Sequence, residues 1–246
     1  MVYCYEVYEM VLDLVRKDKR GRSLDIDEFN RVAKIVNAEV YNHYYNSFET
    51  SLDSSTALSG FKVTNATVSL TAGLGTLPSD YYDLIGVPRY TDGSDIREVD
   101  VVTNIEYTKR QVDYLTRPTV KNPLVMIAGA SGLLTQVRAL PTTMASISID
   151  YLKAAAIPFL DYYSSDTTFI YTYMDAGAQG VVIPLNYTYR DGTVGATTKN
   201  SLTVNFDWDE TDLPLMLSMF VRVLGLQLGD ELLVQVGGME ESKNKE

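Results

Sequence analysis

Side chains for metal and redox chemistry are nearly missing from this sequence. Its one cysteine, Cys4, excludes an intramolecular disulfide framework and a cysteine-based zinc site. Its one histidine, His43, excludes multi-histidine metal centres and leaves a single conventional imidazole base. Positive charge is also short: 21 lysines and arginines stand against 32 aspartates and glutamates, a net charge of −11. A protein that coats nucleic acid normally presents a basic surface, so this balance argues against that role. No apolar run approaches the roughly 18 residues that a membrane-spanning helix needs. The opening MVYCYEVYEM has no basic stretch followed by an apolar one, so it does not read as a secretory signal. The expectation is a protein soluble where it is made. Asn65-Ala-Thr and Asn186-Tyr-Thr match the glycosylation pattern by chance in that setting. The glycines form neither a GxGxxG nor a GxxxxGK[ST] phosphate cradle.

What is present is a chain of 246 residues, 46% hydrophobic, enough for one or two domains with a sizeable core. Tyrosine is in excess, with 18 against 7 phenylalanines and 1 tryptophan. Hydrophobic periodicity divides the chain in three. Val7, Met10, Val11, Leu14 and Val15 form one stripe of a first helix. A second helix starts at Asp25, with Glu28 completing a capping box, and carries Phe29, Val32, Ala33, Val36 and Val40. After a polar linker, SLDSSTALSG over 51–60, the period shortens to two. Asp92-Gly93 marks a hairpin, and Ala145, Ile147, Ile149 and Tyr151 alternate with Ser146, Ser148 and Asp150. Phe169, Tyr171 and Tyr173 alternate likewise, as do Leu202, Val204 and Phe206. One helix interrupts, capped by Thr103 and Glu106 and closed before Arg117-Pro118. A C-terminal helix begins at Asp212 and Pro214, with Leu213, Met216, Leu217, Phe220, Val221 and Leu224 on its stripe, and stops at Gly225. A shorter helix and a polar tail follow.

The expected fold class is therefore α+β, with N- and C-terminal helices forming a helical bundle and an antiparallel β-sandwich or barrel-like region inserted in it. The expected divisions are a helical hairpin over 1–58, a β-rich region with one internal helix over 59–206, and C-terminal helices and tail over 207–246 packing on the bundle.

His43 lies near the apolar stripe of its helix and reads as a packing histidine. Cys4 has no basic neighbour to activate it and reads as structural. Asp150, Asp161, Asp166 and Asp175 share one β-rich stretch. A glycosidase would need two carboxylates across a cleft, whereas the plainer reading is a solvated sheet face and its loops. Asp207 and Asp209, flanking Trp208, fit helix-start electrostatics better than calcium binding. One cluster runs against the acidic background: Arg16, Lys17, Lys19, Arg20 and Arg22 crowd the turn between the first two helices. Some of these cations satisfy the helix C-terminal dipole, but five in seven residues exceed that need and suit phosphate or an acidic protein surface. The tyrosines recur as pairs, Tyr81/Tyr82, Tyr162/Tyr163, Tyr171/Tyr173 and Tyr187/Tyr189. Their amphipathic rings suit protein interfaces as well as ordinary strands.

Segment order carries a further indication. LPSDYYDLIGV (77–87), YLTRPTVKNP (114–123), ALPTTMASISIDYLKAAAIPFLDYY (139–163) and FDWDETDLPLMLSMFVRVLGLQLGDELLVQ (206–235) follow a two-helix start. Together they resemble the head-to-tail connector proteins, adaptor or ring proteins, of short-tailed, crAss-like bacteriophages. The resemblance implies a structural virion protein without enzymatic activity or cofactor, assembled in the bacterial host cytoplasm. It implies a homo-oligomeric ring, commonly dodecameric, below the portal protein, in contact with other tail or ring proteins and passing double-stranded DNA without binding it. An acidic lining suits that passage. The five cations would then meet an acidic neighbour such as the portal. No membrane contact is expected. The alternatives are another head–tail or tail component (a stopper, a second ring, a tail-tube protein) or a carbohydrate-binding adhesin module; a carboxylate-based hydrolase ranks third.

Overall fold

The computed structural model describes residues 1–17, 24–93, 95–129, 135–168 and 170–227, with the backbone alone at 16–17 and 226–227. Three helices open the chain: α1 (Cys4–Lys17), α2 (Ile26–Tyr45) and α3 (Leu52–Ala57). After a 3-10 turn come β1 (Lys62–Ser69), β2 (Leu74–Thr76), β3 (Tyr81–Leu84), β4 (Arg89–Asp92), β5 (Asp95–Glu98) and β6 (Asp100–Val101). Helix α4 (Asn104–Val112) separates these from β7 (Leu124–Gly129), β8 (Thr135–Leu140) and β9 (Ser146–Lys153). Short strands follow: β10 (Tyr162–Ser165), β11 (Tyr171–Tyr173), β12 (Val181–Val182), β13 (Tyr187–Tyr189) and β14 (Thr198–Lys199). The last described element is α5 (Leu213–Gln227). The protein is thus a mixed α+β chain with several antiparallel sheets. Among the described residues, no helix is long and apolar enough to cross a membrane.

Two compact units result, one from Met1–Gly60 with Ala155–Glu246, the other from Phe61–Ala154. The 155–206 stretch, grouped with the strands by its periodicity, belongs to the same unit as the helices.

In the first unit α2 carries the expected stripe, with Phe29, Val32, Ala33, Val36 and Val40 all fully buried. Asp25 caps it by accepting the Ile26 N–H at 2.9 Å. Helix α1 buries the expected stripe only in part: Val7 and Val11 face inward together with Cys4, Tyr8 and Leu12, while Met10 and Leu14 are exposed. Both sets have helical spacing. Tyr8 decides between them, because its ring meets Phe29 edge-on at 5.2 Å and its hydroxyl donates to the Leu24 carbonyl. Phe29 in turn stacks on Phe220 of α5, 5.4 Å between centroids and nearly parallel. A 3-10 turn, Glu210–Asp212, precedes α5, closed by a reciprocal capping box between Asp209 and Asp212. The helix does not stop at Gly225 but runs to Gln227. The linker expected over 51–60 contains α3, capped by the Ser51 hydroxyl. Leu202, Val204 and Phe206 do not form one strand face. Leu202 is exposed and Thr203 buried, and among the described residues the segment's strand-type pairing is limited to the bridges Phe159↔Val204 and Val2↔Phe206.

In the second unit, β9 is central. It pairs with β1 on one side and with β3 and β4 on the other, and β5 closes the hairpin at Asp92-Gly93. Gly93 takes a φ of +64°, the left-handed geometry such a turn requires. The other sheet runs β2-β8-β7-β6, with only the β6–β7 pair parallel. Ile147, Ile149 and Tyr151 from the first sheet and Val125, Val137 and Ala139 from the second share one hydrophobic core. Helix α4 starts at Thr103 as expected but ends at Val112, well before Arg117-Pro118. Asp113 turns the chain out, its carboxylate accepting the Leu115 N–H and the Thr116 hydroxyl.

Candidate functional site

The five cations of the 16–22 turn are not brought into a describable site. Arg16 and Lys17 sit in the last turn of α1 with their side chains outside the described residues. Lys19, Arg20 and Arg22 lie outside the described residues entirely.

The residues singled out for chemistry take structural positions. Cys4 is fully buried, and burial pushes its thiol up to about 12. His43 lies on α2 with its ring edge-on to Tyr44 at 5.1 Å. Asp150 pairs with Arg89 at 2.5 Å and accepts the Asn65 N–H at 2.7 Å. Asn65 has a φ of +57° where β1 bulges against β9, so the carboxylate holds the bulge in place. Asp166 accepts the Thr188 hydroxyl, Asp207 the Ala156 N–H, and Asp175 faces solvent. Among the described residues no three histidine, cysteine or acidic side chains are arranged to hold a metal ion.

Asp161 departs furthest from the solvated-face reading, with no exposed surface at all. Its carboxylate gathers the Tyr189 hydroxyl at 2.7 Å, the Tyr162 and Leu202 N–H groups, and Arg190 Nε at 2.9 Å. The Arg190 guanidinium also lies 4.7 Å over the Phe159 ring. This network welds β10, the end of β13 and the 201–204 segment. A second seam joins strand to helix: Tyr173 donates to Glu9, Tyr171 to Asp25, and Tyr8 meets Tyr173 edge-on. Burial, followed by the Asp27 and Asp25 charges, pushes the Tyr162 hydroxyl up to about 12. Much of the tyrosine excess is therefore spent inside the first unit.

Two further surface features among the described residues lie in the second unit. The first is the turn that follows α4. Helix α4 has no buried residue. Val112 at its end and Tyr114 and Leu115 beyond it are 82, 90 and 89% exposed, while Asp113 fixes the turn that carries the last two. The second is an open groove of about 520 Å³ where β1 and β2 meet. Both are edge strands, each paired on one side only. Leu74, half exposed, is its apolar contribution, since Val68 and Leu77 are buried; Thr67, Thr76 and Gln136 also line it, and every residue lining it is uncharged. Gly75 lets β2 lie against β1, since a Cβ there would come within 2.9 Å of the Ser69 carbonyl oxygen and Val68 Cγ1. Sequence reading missed both features. The available signal was that Asn104–Val112 lacks a helical apolar stripe, so its apolar residues had no inner face to occupy.

Set against known proteins, the chain matches no family model and no curated sequence.

Proposed function

We propose that this chain is a structural virion protein that assembles as an oligomeric ring at the head-to-tail interface of a short-tailed bacteriophage, below the portal, and continues the DNA channel. The observation that supports the reading is the plan of the chain: both ends of the sequence build one unit, and the intervening Phe61–Ala154 builds another. In this reading α1, α2 and α5 are the helical bundle, and the two sheets that share one core are the inserted sandwich. The segment order of the sequence supports the same assignment. The net charge of −11 suits a lining along which DNA slides without sticking.

The cations Arg16, Lys17, Lys19, Arg20 and Arg22 would then meet an acidic surface of the portal and not DNA. Neutralising all five should weaken copurification with the portal protein, and unchanged copurification removes this contact. Electron microscopy of the virion tests the whole reading. Density for this chain in a ring below the portal is the expected result, and its absence from the head–tail junction overturns it.

A further inference from the structure

We propose that the face carrying α4 and the Asp113 turn, residues 104–121, is a docking surface for an acidic protein partner. The partner sets apolar side chains against Val112, Tyr114 and Leu115 and places a carboxylate in the hollow beside Arg117. This surface is separate from the cations of the 16–22 turn, and the inference does not rest on the ring reading.

Helix α4 is held in place without burying any of its residues. Thr103 caps its start, and Arg110 ties it to Asp100 of β6 at 3.2 Å. Val112, Tyr114 and Leu115 are left in water, although the Asp113 carboxylate orders the turn through the Leu115 N–H and the Thr116 hydroxyl. Full burial of one such side chain is worth about 1.5–3 kcal/mol. Aromatic and aliphatic anchors on a pre-formed turn lose little entropy on docking, which concentrates binding energy in a few residues.

Charge selects the kind of partner. Residues 104–121 hold Lys109, Arg110, Arg117 and Lys121 against Glu106 and Asp113, a local excess of two positive charges on a chain of net −11. Arg110 is engaged by Asp100 and Glu106, and Asp113 is spent on its own turn. Lys109, Arg117 and Lys121 are exposed and make no ion pair among the described residues. An acidic surface is therefore drawn to this face against the field of the chain as a whole. Three free cations suit a protein surface better than DNA, whose binding draws on many phosphate contacts.

Arg117 supplies the polar anchor. With Gln111, Pro118, Leu140, Pro141 and Thr142 it lines a hollow of about 190 Å³. Small-molecule sites start at roughly 300 Å³, so this one suits a single side chain. The guanidinium, the carboxamide and the hydroxyl are all donors that a carboxylate can accept from. None of the three has a hydrogen-bond partner among the described residues.

Fluorescence polarisation of the full-length chain tests this with a labelled decapeptide of glutamate and leucine, its lysine–leucine counterpart serving as the control. The acidic peptide should bind, more weakly as salt is raised, and the basic one should not. Tyr114→Ser/Leu115→Ser and, separately, Arg117→Gln should each weaken binding about tenfold. Their melting temperatures should match the parent's, because all three side chains are exposed. Arg117→Lys keeps the charge without the planar fork and should recover only part of the loss. No binding, equal binding of both peptides, or variants that bind like the parent overturn the proposal. Tighter binding to a short DNA duplex or to phosphatidylglycerol vesicles also overturns it, and makes this a phosphate-binding face. Self-association that the same variants abolish, with the peptide unbound, assigns the face to a second copy instead.

Discussion

Arg190 Nε lies 2.9 Å from the carboxylate of Asp161, an anion with no exposed surface of its own. Tyr189 Oη and two backbone N–H groups complete the coordination, so four donors converge on one carboxylate. Removing the anion leaves the Tyr189 hydroxyl and buried N–H groups without an acceptor and the guanidinium without a counter-charge. Breaking such a pair from one side costs about 3–5 kcal/mol. Asp161→Ala should lose stability in that range, and Asp161→Asn less, since it keeps the shape and one acceptor oxygen. Urea unfolding followed by the emission of Trp208, which lies in the same unit, measures both. A variant within about 0.5 kcal/mol of the parent, the range of ordinary surface changes, removes the network as a stabilising element.

Helix α2 was legible because local signals agree: a capping aspartate, then five apolar residues at helical spacing, all buried in the structure. Where local signals compete, tertiary packing decides. Two stripes fit α1, and only the Tyr8–Phe29 contact selects the one that includes Cys4. Helix α4 ends where the Asp113 side chain captures the Leu115 N–H, and the proline five residues later has no part in it. The Asp161 network was beyond reach because its partners Tyr189 and Leu202 are 28 and 41 residues away in sequence. An aspartate within a run of tyrosines carries no mark of full burial. The exposed turn and the groove were hidden for a related reason. Exposure of apolar residues is a property of the fold, and composition cannot distinguish Leu115 from a core leucine.

Trp208 donates its indole N–H to Asn37 Oδ1 at 2.8 Å, and Asn37 Nδ2 donates to the Ala156 carbonyl at 3.0 Å. One turn pair earlier on the same face of α2, Asn30 makes both hydrogen bonds with the backbone of Leu160. The helix thus holds an extended segment through two amides. Asn37→Ala should leave a buried indole N–H and a carbonyl unpaired, at a cost of about 1–3 kcal/mol for each group that water cannot reach. The measurement is thermal unfolding together with the tryptophan emission spectrum. Destabilisation without a spectral change would show that the indole keeps another partner and would sink the assigned role.

Gly75 and Gly93 give opposite expectations for the same substitution. A methyl at Gly75 would sit 2.8 Å from Leu70 Cδ2 and 2.9 Å from the backbone oxygen of Ser69, with a buried core behind it. Overpacking of this kind costs about 1–3 kcal/mol, and Gly75→Ala should also distort the β1–β2 groove. Gly93 has open space around it, and its cost comes only from its φ of +64°. Gly93→Asn should therefore be nearly neutral, because asparagine tolerates the left-handed region. Paired melting curves check this: equal shifts for Gly75→Ala and Gly93→Asn would contradict the close approach of β2 to β1.

Alkaline pH should unfold the protein earlier than its amino-acid content suggests. Burial pushes the Cys4 thiol from 9.0 up to about 12. Burial, then the Asp83 charge, pushes Tyr81 from 10.0 up to about 12. Tyr162 rises to the same value, and Tyr44, buried and donating to Asp212, rises further. In each case the unfolded chain releases its proton at the ordinary value while the folded chain holds on to it. Folded groups with raised values contribute stability that is complete below the unfolded value and lost as pH climbs through the folded one. The contribution of these groups should thus be constant below about pH 9 and be lost progressively between about pH 9 and pH 12. Urea midpoints across that range give the slope, and tyrosinate absorbance reports how many hydroxyls ionise only on unfolding. Tyr162→Phe removes one such hydroxyl and should flatten the slope, although it also loses a hydrogen bond at neutral pH. If all tyrosines ionise together in the native protein near their ordinary value, the buried tyrosine–carboxylate seam does not hold its protons, and this expectation fails.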